Sequence, residues 1–588
     1  MDLLLFLLVS FVILFVAYKV VGQWLVRVFS LSTEETTPAH ELRDGLDYEP
    51  ARMSYLLPQH FSAIAAAGPI VGPILAGTYF GWGPAWLWIL VGSILIGGIH
   101  DFTALVSSVR HRGQSVAQLV REYMNPRAYM LFLIFIWFAL IYVVIAFTDV
   151  TAGTFVQKGS SAEAEAPGPA VATSSVLYLL LAVAMGLCLR FTKLGPLRAK
   201  LIFLPLVGVA ILIGPYIPVD LEKLLPADWN AQQVWGYVLL AYCFLAAMAP
   251  VWSLLQPRGE LGGYFLYLVM LFGVLGIGIG ALTGGLHIEQ SFFKGWNAKD
   301  SFGEAAPLLP ILFITVACGA CSGFHSIVAS GTTSKQLRCE MDARPIGYGG
   351  MLLEGFFACI SLATLMILSD PKGGPNLIYA QGIADFGNRV VSPLLPESVS
   401  LADVLFKFAL LCFATFVFDT LDACTRLARY VLMELLGWKT RAQAALATLL
   451  SLGIPIYAVS LPRIEFGGKE VPLWQVFWGI FGSSNQLLAA LTLLGVTVWL
   501  ARKGKPYWFT LGPTLFMLLM SLWSLILTIR PYVVLRNSGA EISAIRHVQF
   551  LVCVSLVGLA AWLIVEAIIT WQTMIRGGAR RESLAEAG

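Results

Sequence analysis

Serines, a histidine and two Gly-Pro pairs lie inside stretches that are otherwise apolar, and their spacing points to the handling of ions and small polar solutes. The first stretch runs Gln59-His60-Phe61-Ser62-Ala63-Ile64-Ala65-Ala66-Ala67-Gly68-Pro69-Ile70-Val71-Gly72-Pro73. Proline lacks an amide and crowds the preceding turn, so a helix through here is expected to break near Gly68 to Pro73. Broken backbone at membrane depth must face protein or a wet cavity. There, freed amides at the start of a half-helix can hold an anion, and freed carbonyls a cation. Gly68, Pro69, Gly72 and Pro73 are therefore candidate substrate contacts. Gly68 and Gly72 also form a GxxxG, which suits a kinked, closely packed helix instead.

The second stretch, Ala249-Pro250-Val251-Trp252-Ser253-Leu254-Leu255-Gln256-Pro257-Arg258-Gly259, interrupts an apolar run five spans further on. An odd offset turns the two helices in opposite directions, and interrupted helices at matching places in inverted halves mark transporter sites. Pro250 and Trp252 join the candidate substrate contacts on that ground. The third stretch runs from Ala317 to Thr333 and holds Ser322, Ser326 and Ser330 at i, i+4, i+8. On one helix these share a face, as a hydroxyl ladder for Na⁺ or substrate, or as small residues bonded to their own backbone. His325 lies beside them as a further substrate or proton site.

Ionisable residues inside apolar runs are functional candidates by default. His60, His100, Asp101 and Glu354 are the candidates for carrying a coupling proton, and Asp149, Lys407, Asp419 and Glu566 are also intramembrane. Asp422 and Arg426 are spaced to pair along one helix, at the end of a span read as 400–420. Lys193 and Lys200 fit a basic loop. No P-loop, nucleophile elbow or HExxH occurs, and the seven histidines show no metal or haem spacing. Nothing supports an ATPase or a metalloenzyme, and no cofactor is expected. The nine cysteines, the Cys318-x-x-Cys321 pair included, mostly fall in apolar runs and read as packing residues.

These residues need a membrane to give their burial meaning. The 588-residue chain is 58% hydrophobic and 12% charged, with a net charge of +3. Soluble domains carry about 25% charged residues. Apolar runs of about 20 residues, enough to cross a bilayer as helices, recur at 2–26, 60–80, 84–107, 128–150, 173–190, 199–218, 234–256, 260–283, 309–331, 346–369, 400–420, 441–460, 472–500, 507–529 and 548–573. The first is read as a retained span. Alternate loops are basic (Arg110, Arg112, Arg121, Arg127; Arg190, Lys193, Arg198, Lys200; Lys335, Arg338, Arg344; Arg426, Arg429, Lys439, Arg441; Arg502, Lys503, Lys505) or acidic (Glu163, Glu165; Asp220, Glu222, Asp228; Glu289, Asp300, Glu304). The basic set is expected in the cytoplasm, with the C-terminus inside; the loop 530–547, with Arg530, Arg536 and Arg546, runs against the pattern. The expected partners are lipid and a small solute, with no nucleic acid.

Six ordered motifs resemble the carbon starvation protein A (CstA) family, the peptide and pyruvate transporter branch of the amino acid–polyamine–organocation superfamily. They are Gln59 to Pro73; Pro250 to Arg258; Cys318-Gly319-Ala320 with Ser322 to Thr333; Ala343 to Gly349 with Glu354-Gly355; Leu421-Asp422-Ala423 with Thr425-Arg426; and Phe481-Gly482 with Asn485 to Ala489. Gly259-Glu260 departs from the Asp-Tyr usual after Pro-Arg. The resemblance implies an all-α polytopic protein of about fifteen transmembrane helices with a five-plus-five inverted repeat like that of the leucine transporter. Repeat one is expected over 60–220 and repeat two over 234–420, with peripheral helices at 1–30 and 441–573 and a cytoplasmic tail at 574–588. It also implies ion-coupled uptake of peptides or pyruvate across a bacterial inner membrane. By the same likeness the carbonyls about Ala67 and Ile70, with the hydroxyls of Ser322 and Ser326, are a candidate Na⁺ site. The expected activity is Na⁺- or H⁺-coupled symport by alternating access. A channel would lack trans-stimulation, and a membrane-embedded enzyme would need a catalytic cluster that the sequence does not offer.

Overall fold

The computed structural model describes residues 2–586, apart from 45–47, 66, 159–166, 227, 300–304, 395, 397–400, 462–463, 467–468 and 540–541. Of the acidic-loop residues, Glu163, Glu165, Asp300 and Glu304 fall outside the described residues. Long apolar helices follow one another in chain order: α1 (Asp2–Phe29), α2 (Met53–Ile64), α3 (Gly68–Phe80), α4 (Trp82–Gly92), α5 (Gly98–Arg110), α6 (Pro126–Phe155), α7 (Pro167–Phe191), α8 (Pro196–Ile213), α9 (Ala231–Met248) and α10 (Leu255–Leu282). After them come α11 (Leu308–Thr315), α12 (Gly323–Val328), α13 (Gly349–Met366), α14 (Pro375–Val391), α15 (Ala402–Leu436), α16 (Arg441–Ser460), α17 (Leu473–Arg502), α18 (Trp508–Asn537) and α19 (Ala544–Glu586). Two short antiparallel hairpins, Asn297–Lys299 with Ala305–Pro307 and Ile464–Phe466 with Lys469–Val471, are the only sheets among the described residues.

Thirteen stretches are long and apolar enough to cross a membrane, and α2 with α3, bent by 45°, makes a fourteenth. Leu308 to Thr333 is interrupted more widely. Three helices are entered or left through π turns: Ser93–Gly97 joins α4 to α5, Ala329–Thr333 follows α12, and Arg344–Tyr348 precedes α13. Such turns are rare and cluster where function bends a helix.

The centre is formed by α5, α6, α13, α15 and α17, which are buried almost throughout, whereas α1, α8, α18 and α19 bury a small part of their surface and present Leu5, Leu201, Leu515 and Leu551 outward. This is the pattern of an inner bundle rimmed by lipid-facing helices. The basic face is knitted together by Arg110, which pairs with Glu340 at 2.7 Å and donates to the Phe29 carbonyl, and by Lys505, which donates to the Val28 carbonyl. Burial and then the nearby Arg110 push Lys505 below the ordinary lysine range, against the pull of Glu340.

The span expected at 234–256 differs. α9 runs unbroken and stops at Met248; Ala249 turns extended ahead of Pro250, as residues before proline do. Ala249 to Leu254 is therefore a turn between two whole helices. α15 is also longer than its expected span, so Asp419, Asp422 and Arg426 lie within the helix.

Candidate functional site

The first interruption falls earlier than expected: α2 ends at Ile64 and α3 begins at Gly68. The ring of Pro69 would meet the carbonyl four residues back, at Ala65, and there the backbone leaves helical geometry (φ −78°, ψ 62°). Pro69 then sits in the first turn of α3, where a missing amide costs nothing. Pro73 lies inside α3 and has no N–H to offer the Pro69 carbonyl. The Ala67 carbonyl accepts from Ile70 and Val71, so it and Ile70 belong to the opening turn of the half-helix.

The second interruption is not at Pro250. It lies at Val316 to Ser322, between α11 and α12, in the run Cys318-Gly319-Ala320-Cys321-Ser322. Pro250 is exposed and Trp252 half-buried; the Trp252 ring stacks edge-on against Phe191 and under Arg190, away from both breaks. The two true interruptions lie against each other. A Cβ on Gly68 would overlap the Cys318 side chain, one on Gly72 the backbone at Thr315, and Gly319 faces Pro69. The pairing runs 68 to 72 against 318 to 315, so the start of α3 runs antiparallel to the chain that leaves α11. On the other side, a Cβ on Gly97 would collide with the Ala320 carbonyl. The absent side chains are what let three backbones meet here.

The serine ladder is only partly formed. Ser322 precedes α12 in extended geometry (φ −129°, ψ 124°) and exchanges hydrogen bonds with Asn485 on α17, whose carbonyl also accepts from the Phe324 amide at 2.9 Å. Ser326 donates to the Gly323 carbonyl and contacts Thr492 at 3.1 Å, and Ser330 donates to the Ser326 carbonyl. In the sequence Asn485 shows itself only as an amide inside an apolar helix.

Beside α12 stands an acid–imidazole row in which every member is fully buried. Asp101 on α5 meets His100 Nδ1 at 2.8 Å through one oxygen and His325 Nδ1 at 2.7 Å through the other. His325 Nε2 lies 3.3 Å from Glu354 Oε2 on α13. If Nδ1–H donates to Asp101, the Nε2 lone pair faces a carboxylate, and the contact is attractive only with a proton between them. Glu354 Oε1, His100 Nε2 and His60 Nε2 lack partners among the described residues, and such buried orphans call for a functional explanation. His60, on α2, stands apart from the row and meets Thr333 at 2.8 Å.

A second buried cluster went unrecognised. Arg258, 0% exposed near the start of α10, lies 2.9 Å from Asp419, contacts Asp422 directly and donates to Tyr242 at 2.6 Å. Ser62 on α2 donates to the other Asp419 oxygen, and Tyr178 to the Arg258 carbonyl. Asp422 thus pairs with Arg258 and not with Arg426, which donates instead to the carbonyls of Ala246 and Ala249 at the end of α9. Nearby, Glu260 pairs with Lys200 at 2.5 Å. Asp149 accepts from Gln232 and from the Trp474 amide, Glu566 from Asn125, and Lys407 pairs with Asp403; these brace helix ends.

Among the described residues, two openings approach the breaks. From the acidic face a cleft of about 190 Å³ descends past Tyr79, Trp478, Ser524 and Gln549 to Ile314 and Thr315, next to the second interruption. Toward the basic face a cavity of about 20 Å³ is bordered by Gln59, His60, Thr333 and Asp419.

A family model described as "Carbon starvation protein CstA" matches residues 2–373 and 369–524. This chain belongs to the CstA family. Among its relatives, the peptide transporter CstA of Escherichia coli K12 is 31% identical over 584 residues, covering 87% of this chain and 79% of its own length. The peptide transporter CstA of Campylobacter jejuni is 31% identical, covering 91% and 80%. The pyruvate/proton symporter BtsT of E. coli K12 is 30% identical, covering 87% and 79%. Among solved structures, a manganese transporter of Eremococcus coleocola shows 13% identity over 90% of this chain and 99% of that one (TM-score 0.43), and MhsT with L-phenylalanine 14% over 88% and 98% (TM-score 0.43). This CstA family member is a multi-pass, all-α membrane transporter and not an enzyme.

Proposed function

We propose that this CstA family member takes up small carboxylate-bearing nutrients, pyruvate or short peptides, by proton-coupled alternating access. The observation that carries the reading is the antiparallel meeting of two interrupted helices beside the Asp101–His325–Glu354 row. The start of α3, Gly68 to Pro73, offers half-helix amides to a carboxylate, and His325 stands at the same junction. The row has a place for one proton more than neutral imidazole and two carboxylates hold, which favours H⁺ over Na⁺ as the coupling ion. The oxygens of Ala67, Ser322 and Ser326, the candidate Na⁺ ligands with Ile70, already serve other hydrogen bonds.

In this reading the molecule has two inverted halves, each opening on an interrupted helix. The second opens at Leu308, seven spans after the first, and the odd offset keeps the pair opposed. Each interrupted helix precedes one bearing a π turn, at Ser93–Gly97 and Arg344–Tyr348. The basic face lies in the cytoplasm, with the C-terminus, and the protein sits in the bacterial inner membrane.

The test is uptake of labelled pyruvate and of a dipeptide by purified protein in liposomes, with pH and Na⁺ gradients imposed separately. Acid outside should drive accumulation of at least one of them, and a Na⁺ gradient alone should not. Accumulation that follows Na⁺ and ignores pH would sink the proton reading. Absence of trans-stimulation would replace the carrier with a channel.

A further inference from the structure

The proton row leaves the Arg258 cluster without a task. A fully buried guanidinium faces two buried carboxylates, so the three groups together carry one negative charge when both acids are ionised. Arg258 Nη2 has no partner among the described residues. Asp419 also borders the small cavity toward the basic face, where Gln59 Oε1 and His60 Nε2 are likewise without partners. That cavity has room for a water, which would link Asp419 to His60, and His60 reaches Thr333 on the second interrupted stretch. Ser62 ties Asp419 to α2, the half-helix ahead of the first break. The cluster therefore touches the half-helix ahead of the first break and, across the cavity through His60, the stretch that follows the second.

We propose that Arg258 is a second carboxylate station, on the basic-face side of the breaks, where the substrate's carboxylate takes the place of Asp419 as that residue accepts a proton. The proposal rests on the reading of the substrate as a carboxylate. Its charge balance is closed. Before exchange the cluster holds Arg258⁺, Asp419⁻ and Asp422⁻; afterwards it holds Arg258⁺, Asp422⁻, protonated Asp419 and the incoming carboxylate. Both states carry one negative charge, so one proton and one monocarboxylate enter together and the buried field does not change. No charge has to be created or stranded in a medium where an unpaired ion is costly. Protonated Asp419 no longer attracts the guanidinium, which frees the fork that Arg uses for carboxylates. Asp422, held by Tyr242 as well as Arg258, stays as the fixed counter-ion. The titratable and charged groups facing Asp419 are Arg258 on α10, Tyr178 on α7, Asp422 on α15 itself and His60 on α2 across the cavity, while Tyr242 and Cys243 on α9 and Arg426 on α15 lie about its neighbour Asp422.

The experiment measures pyruvate binding to purified full-length protein, by isothermal calorimetry or by ligand-dependent thermal shift, between pH 5.5 and 8.5. Linkage of one proton to one carboxylate weakens the apparent affinity about tenfold per pH unit on the alkaline side. Asp419→Asn should flatten that slope. Arg258→Gln should abolish binding, and because it leaves two acids unpaired, the double variant Arg258→Gln with Asp422→Asn is made beside it and should also fail to bind. A parent slope persisting in Asp419→Asn, or parent affinity in the double variant, overturns the proposal while leaving proton-coupled uptake standing. A parent protein that binds no monocarboxylate or peptide at any pH overturns both.

Discussion

At the scale of single residues, Glu354 is the most exacting choice in the molecule. It is a carboxylate with 0% exposure, within reach of one imidazole and with an oxygen that finds no other partner among the described residues. An amide of the same volume cannot carry the shared proton. Glu354→Gln should lower pH-driven accumulation about tenfold or more, the equivalent of losing one charged hydrogen bond, with little change in melting temperature. Parent-level accumulation would remove Glu354 from the coupling path. Asn485 acts differently: it satisfies Ser322 and the Phe324 amide at the ragged start of α12. Asn485→Ala strands both and should destabilise the protein by about 1–3 kcal/mol, read as a lower melting temperature in detergent whether or not substrate is present.

At the scale of elements, shape is set by what is missing. Gly97 faces the Ala320 carbonyl so closely that a methyl group has no room, whereas Gly208, on α8, meets nothing within 4 Å. Gly97→Ala should cost about 1–3 kcal/mol of stability through overpacking, and Gly208→Ala should be neutral or stabilising by about 0.5–1 kcal/mol. Equal melting temperatures for the two variants would contradict the close approach. The same contrast explains what the residues alone could and could not reveal. Pro69 announces the first break because its chemistry is local, and the break sits a few residues ahead of the proline because it falls at the carbonyl that the ring crowds. The second break has no proline. Small residues from Cys318 to Ser322 lie where α3, α4 with its π turn, and α13 leave space for unwound chain, which is tertiary information. Pro250 misled for the converse reason: it ends a helix as readily as it breaks one. His100, Asp101, His325 and Glu354 were visible as costly intramembrane groups. That three of them share one row, and that Arg258 reaches across to Asp419 and Asp422, depends on which helices become neighbours.

At the scale of the whole molecule, the two openings are unequal: a cleft of about 190 Å³ reaches Thr315 from the acidic face, and only about 20 Å³ remains beside His60 toward the basic face. A solute entering by the cleft must pass Thr315 before the second interruption. Thr315→Trp should therefore cut inward pyruvate transport about tenfold or more, a loss expected when an oversized ring closes a path that a hydroxyl lines. Unimpaired uptake would place the route elsewhere. The rim of α1, α18 and α19 exposes apolar side chains such as Phe11, Leu519 and Leu551, so the bundle is completed by lipid.

The π turn at Ser93–Gly97 gives α5 a particular way to move. It holds one residue more than an ordinary turn, and Asp101 follows it by a single turn of helix. Passing that extra residue along the axis would turn the segment it crosses, Asp101 included once it is passed, by about 100°, without unravelling either end. Such a crankshaft would lift Asp101 off His325 and set it back, making the carboxylate an escapement that lets the proton advance one step per cycle.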